Sequence, residues 1–200
     1  MSAVVDQLKG GYWTNLQNVG ARSYVCGYCG DKVAAKEGYS AKKPTAGGEL
    51  TVATIHVCPG CKGPTFFSAL GDQHPSPRLG RAVPHVPEQV RKLYDEARAS
   101  VSAHAYTGAV LLCRKLLMHI AVAEGAAEGL SFVRYVEYLA DKGYVPPHGI
   151  VWVDYIRKRG NEANHEITIM TYEDAKALVS FVEMLLRFIY EFPNLVPADD

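Results

Sequence analysis

The chain has 200 residues, 48% of them hydrophobic, and its mean hydropathy is close to zero. That composition excludes a collagenous, disordered or membrane-embedded chain and suits one medium domain or two small ones. With 21 basic and 21 acidic side chains the formal net charge is zero, which excludes a polyanion binder that is basic over its whole surface. The charge is unevenly spread, nine basic against five acidic side chains in residues 1–85 and twelve against sixteen in 86–200, so two regions of different chemistry are expected.

Met1–Asp6 has no basic segment leading into a long apolar run, so no secretory signal is expected. Unbroken apolar runs such as Ala109–Cys113 are too short to span a bilayer. A cytoplasmic, membrane-free setting with reduced thiols follows as an expectation, and it favours cysteines as ligands or core residues over disulfides.

Residues 1–70 are rich in glycine and contain two segments that read as strands, Arg22–Val25 and Thr51–Val57. The Pro and Gly content of Lys42–Gly48 reads as a loop between them. Residues 71–87 hold four prolines without periodicity and read as a linker. From there the period becomes helical. Val90, Leu93, Tyr94, Ala97 and Val101 form one stripe, and Tyr106, Ala109, Val110, Cys113, Leu116, Leu117, Ile120 and Ala121 form a longer one. Ser131 is placed to cap a third helix carrying Phe132, Tyr135, Val136 and Leu139. A fourth helix is expected from about Gly149 toward His165. A fifth starts at Thr171, with Asp174 as its capping-box carboxylate, and ends before Pro193. The expected class is α+β: a small β zinc ribbon over 1–70, a linker over 71–87, a helical bundle over 88–192 and a tail over 193–200.

Cys26-Gly-Tyr-Cys29 and Cys58-Pro-Gly-Cys61 are two matched CxxC knuckles. In each, a tight turn aims two thiolates at one point, and four soft ligands close a tetrahedral structural zinc site. His56, two residues before Cys58, is a further potential ligand, but four cysteines already close the site and it reads better as a solvated strand histidine. Lys32, Lys36, Lys42 and Lys43, with Tyr24, Tyr28 and Tyr39, read either as a solvated surface or as a nucleic-acid contact. Cys113, on the apolar stripe of the second helix, reads as a buried core thiol.

On the fourth helix, Trp152, Ile156 and Ala163 fall on one face, while Asp154, Lys158, Asn161 and His165 fall on the opposite one. Taken alone, that polar face is either wet surface or a site. The run Ile156-Arg157-Lys158-Arg159-Gly160-Asn161-Glu162-Ala163-Asn164-His165 resembles the Arg-x(4–6)-His signature of the HEPN superfamily, in a bacterial or phage branch with Gly-Asn-x-x-x-His after a basic residue. Leu111-Leu112-Cys113-Arg114-Lys115-Leu116-Leu117 is similar to the arginine-bearing helix of that branch, and the paired knuckles are similar to the ribbon often joined to it. The resemblance implies a helical bundle that dimerises through its helices. It also implies a metal-independent endoribonuclease acting in defence, a toxin–antitoxin system or stress response, with RNA or a nucleotide as ligand and an antitoxin or regulatory protein as a further partner. Carried onto this chain, His165 is the acid/base, Arg159 the phosphate clamp, Asn161 an orienting group and Arg114 a support from the neighbouring helix. On an unbroken helix Arg159 and His165 point about 120° apart, so a shared phosphate requires a break at Gly160 or an arginine from a second subunit. The alternative is a non-catalytic nucleotide- or RNA-binding or protein-interaction module carrying the same ribbon.

Overall fold

The structure, a computed structural model, describes residues 6–8, 10–145, 151–156 and 169–195. The chain forms two compact units, Met1–Arg78 and Leu79–Asp200. It is α+β, with an antiparallel sheet that carries the cysteines followed by a helical region.

The first unit is a five-stranded antiparallel meander: β1 (Gln17–Val25), β2 (Lys32–Thr45), β3 (Gly48–Val57), β4 (Pro64–Ser68) and β5 (Gln73–His74), hydrogen-bonded in that order. β2 and β3 are far longer than composition suggests. The expected loop Lys42–Gly48 is mostly strand: Lys42 pairs with Thr51, Lys43 with Leu50 and Pro44 with Glu49, leaving Ala46 and Gly47 as the turn. Pro44 is tolerated because β1 pairs with β2 only as far as Gly38, so the missing N–H faces no neighbour strand. The small core consists of Tyr24, Cys26, Ala35, Cys58 and Phe67, flanked by Tyr28, Cys29, Val33 and Cys61. A hydrophobic cluster of five buried side chains cannot hold a sheet of this size by burial alone, so the cysteines at its centre are part of what folds it.

The second unit is helical: α1 (Glu88–Ser102), α2 (Tyr106–Ala123), α3 (Phe132–Asp141), a helical stretch over 151–156, and α4 (Tyr172–Leu186). α2 is long and apolar enough, with mean hydropathy 1.3 over its 18 residues, to cross a membrane by length and composition. Its apolar stripe is nevertheless committed to the bundle, since Ala109, Cys113, Leu116, Leu117, Ile120 and Ala121 are fully buried. Ser131 caps α3 by accepting from the Arg134 N–H, and Thr171 and Asp174 form the capping box of α4. The helical path continues past α4 through a widened turn, Arg187–Glu191, and a tight one, Phe192–Leu195, so Pro193 lies within a turn rather than after the end.

The proline-rich segment 71–87 is shared between the units. Gln73–His74 pairs with β4, while Val83 and Val86 belong to the helical core and Leu79 packs against it. The buried Arg98 guanidinium donates to the carbonyls of Leu79 and Gly80, both at 2.8 Å, and to Asp95 at 3.0 Å.

Candidate metal centre

The two CxxC turns connect β1 to β2 and β3 to β4, and they are built alike. The Cys26 N–H donates to the Asp31 carbonyl at 2.9 Å, and the Gly30 N–H returns to the Cys26 carbonyl at 2.8 Å. In the second turn the Cys58 N–H donates to Gly63 and the Lys62 N–H to Cys58, both at 3.0 Å. Gly30 and Lys62 occupy equivalent positions with φ of 80° and 63°, the left-handed conformation that suits glycine and strains lysine. Gly27 and Gly63 are needed for closeness. A Cβ on Gly27 would lie 2.5 Å from the Pro75 carbonyl oxygen, and one on Gly63 would lie 2.5 Å from the Tyr28 ring.

These turns bring the sulfurs of Cys26, Cys29, Cys58 and Cys61 within 4.8 Å of one another, a cluster able to hold a metal ion. Two pairs run across the turns, Cys26 to Cys61 at 3.6 Å and Cys29 to Cys58 at 3.9 Å. Cys26 and Cys58 are fully buried, and Cys29 and Cys61 lie at the rim. Burial pushes the Cys61 thiol up to about 11 and raises that of Cys29 as well. A coordinated cation reverses this by displacing the protons.

His56 is not the solvated histidine expected from the sequence. It is 2% exposed, packed edge-on against Tyr24 and Phe67, with Nδ1 3.2 Å from the Ala35 carbonyl oxygen. The alternation of a half-buried strand reveals only that one face is inward; Tyr24 on β1 and Phe67 on β4, each edge-on to the imidazole, show that His56 lies on that face. The tyrosines considered for base stacking are also engaged. Tyr24 is buried, with its phenol pushed up to about 12 by desolvation, Tyr28 lies against Gly63, and Tyr39 donates to the Thr14 carbonyl and meets Trp13 edge-on. Trp13 in turn donates to the Lys62 carbonyl at 2.9 Å, fastening the segment before β1 to the second turn.

In the helical unit Arg114 lies on α2, 6% exposed, with its guanidinium carbon 4.5 Å from the Phe132 ring centroid and its pKa lowered by desolvation. Arg159, Asn161 and His165 lie outside the described residues. Of the helix leading to them, Val153 and Ile156 are buried, Trp152 packs edge-on against Phe181, and Asp154 is exposed. Cys113 is fully buried, and desolvation pushes its thiol up to about 12. His104 sits beside the Tyr106 hydroxyl at 2.8 Å, and His119 is exposed.

One polar contact escaped sequence reasoning. The Tyr155 hydroxyl donates to Asp174 Oδ1 at 2.6 Å, while Oδ2 accepts from the Thr171 N–H and hydroxyl at 2.8 and 2.7 Å. One buried carboxylate thus ties the helical stretch 151–156 to the start of α4. The capping box is visible locally; the tyrosine, 19 residues away, is not.

An antiparallel ribbon with a four-cysteine centre, followed by an arginine-bearing helical bundle, defines a two-unit protein whose first unit carries a cluster able to hold a metal ion. Residues 95–199, just over half the chain, match the family described as a domain of unknown function, DUF4145, and the chain belongs to that family. No curated protein matches the chain, and no solved structure does.

Proposed function

We propose that the chain is a cytoplasmic endoribonuclease of the HEPN type, with a structural zinc ribbon in front of a homodimeric helical domain. The observation that carries the nuclease reading is the run Arg159-Gly160-Asn161 through His165, preceded in the chain by an arginine, Arg114, on the apolar helix α2. Zinc is favoured by chemistry and spacing. With metal–sulfur bonds of ~2.3 Å, a tetrahedron has edges of ~3.8 Å, and the two cross-turn sulfur pairs, at 3.6 and 3.9 Å, bracket that length. Four thiolates leave no open position on such an ion, so its role is to fold the ribbon.

In the proposed reaction the neutral imidazole of His165 takes the proton of a ribose 2′-hydroxyl, whose oxygen attacks the adjacent phosphorus. The bond to the 5′-oxygen breaks, that oxygen takes a proton from the imidazolium of His165, directly or through water, and the products are a 2′,3′-cyclic phosphate and a 5′-hydroxyl. Arg159 offsets the extra negative charge of the five-coordinate transition state, and Asn161 orients the phosphate. Arg114, whose guanidinium lies over the Phe132 ring, is the supporting arginine of this reading. Dimerisation is supported by the outer flank of α2, where Leu111 and Met118, two turns apart, are 48% and 37% exposed.

The test is incubation of a mixed RNA pool with wild type, His165→Ala and Arg159→Ala, with zinc measured in each preparation. Wild type cuts, and His165→Ala loses about 10²–10⁴ in rate. If zinc-loaded wild type binds RNA or a protein and cuts nothing, the non-catalytic binding module replaces the nuclease.

A further inference from the structure

The β2–β3 hairpin is longer than the sheet that supports it. β1 covers β2 only from Lys32 to Gly38, and β4 covers β3 only from Ala53 to Val57. Beyond these limits Ala41–Thr51 continues as a lone two-stranded ribbon with every residue exposed. At ~3.3 Å per residue the arm reaches about 17 Å past Ser40. Isolated hairpins are marginal in water, and this one carries a single large apolar side chain, Leu50, so it has no packed face of its own. Its tip, Ala46-Gly47-Gly48, is slim.

We propose that this arm is a nucleic-acid contact: its tip enters a groove and Lys42 and Lys43 meet the phosphodiester backbone. A two-stranded ribbon is of groove width. The residues on β2 favour this occupant over a protein strand, because Pro44, the paired lysines and the register shift between Ala41 and Lys42 are the features that block edge-to-edge strand addition. The Lys42–Glu49 ion pair, 2.9 Å between exposed groups, is weak in water and yields readily to a phosphate. The net negative charge of a zinc–tetrathiolate centre does not cancel the arm. By the Gly38–His56 pairing, Cys58 is level with Lys36, six residues along the strand from Lys42 and ~20 Å at strand rise, and the Debye length is ~8 Å at physiological salt. This binding role goes beyond the nuclease reading and holds whether or not the helical unit cuts.

Zinc-loaded full chain in a His165→Ala background, which leaves RNA probes intact, is titrated by fluorescence anisotropy over a salt series. The probes are a DNA duplex, an RNA duplex and a single-stranded RNA of equal length. Lys42→Gln/Lys43→Gln lowers the slope of log affinity against log salt by about 0.9 per lost contact on duplex, or ~0.7 on a single strand, and weakens binding on the probe that fits the arm. Lys42→Arg/Lys43→Arg restores both. Zinc content and circular dichroism confirm that each variant is folded. The duplex showing the larger change names the source of the phosphates, and a change confined to the single strand overturns the groove contact. The proposal is overturned if the unsubstituted arm binds none of the probes, if the glutamine variant leaves affinity and slope unchanged on all of them, or if its only effect is on self-association or capture of a protein.

Discussion

Gly38→Ala isolates how far the metal centre depends on the sheet. Gly38 on β2 faces His56 on β3, and a Cβ there would lie 1.7 Å from the Ile55 carbonyl oxygen, 2.8 Å from its carbon and 3.2 Å from the His56 Cα. All three are backbone atoms, so no side chain can swing away. Bringing that oxygen from 1.7 Å to the 3.0 Å that real Cβ atoms respect takes a strand retreat of about 1.3 Å. A ladder bond of ~2.9 Å then stretches past 4 Å and is lost. Two such bonds at about 1 kcal/mol each, with residual overpacking of about 1 kcal/mol, give a loss of ~3 kcal/mol. Because metal binding and folding of so small a core are one equilibrium, that loss is read as an apparent metal affinity weakened about 100-fold. The assay is competition with a graded chelator, alongside denaturant unfolding. Gly47→Ala is the control, since a Cβ at the hairpin tip meets nothing within 4 Å and should change stability by less than about 0.5 kcal/mol. Gly38→Ala with wild-type stability and metal affinity would refute the reasoning.

Three further outcomes are expected. Cys113 reacts with thiol reagents only on unfolding, so native protein shows no fast thiols, chelated protein four and denatured protein five. Because its folded pKa of about 12 exceeds the ordinary value, its contribution to stability is complete below about pH 8.5 and is lost as pH rises toward 12, which unfolding curves of Cys113→Ala against wild type detect as a flatter alkaline limb. Asp174→Ala removes a cap and strands the Tyr155 hydroxyl, costing about 2–3 kcal/mol by helical circular dichroism in denaturant, whereas Tyr155→Phe costs about 1 kcal/mol. Cys58→Ser lowers zinc from one ion per chain to a small fraction and unfolds the ribbon while leaving the α-helical signal, by elemental analysis and circular dichroism.

The cysteine knuckles were readable because their chemistry is local: cysteines with two residues between them, glycine-flanked and duplicated. Helices α1 to α4 were readable for a similar reason, since burial writes a 3.6-residue period into Val90–Val101 and Tyr106–Ala121. β2 was not, because Lys42-Lys43-Pro44 has the composition of a loop and is held as strand by pairing with Thr51, Leu50 and Glu49. His56 and Tyr155 were misjudged or missed for the same physical reason. Their partners, Ala35, Phe67 and Asp174, lie 11 to 21 residues away, where only the assembled fold brings them close.

The claim that His165 drives attack by a ribose hydroxyl is tested most directly by one substitution in the substrate. Once a preferred cleavage point is mapped on an RNA oligonucleotide, the same oligonucleotide is made with a 2′-deoxy sugar on the 5′ side of that bond alone and incubated with zinc-loaded wild type. The account predicts that cutting stops at that bond, continues at other sites, and leaves 2′,3′-cyclic or 3′-phosphate ends wherever it occurs. Undiminished cutting at the deoxy position would contradict it, because the nucleophile would then be water rather than the substrate's own hydroxyl.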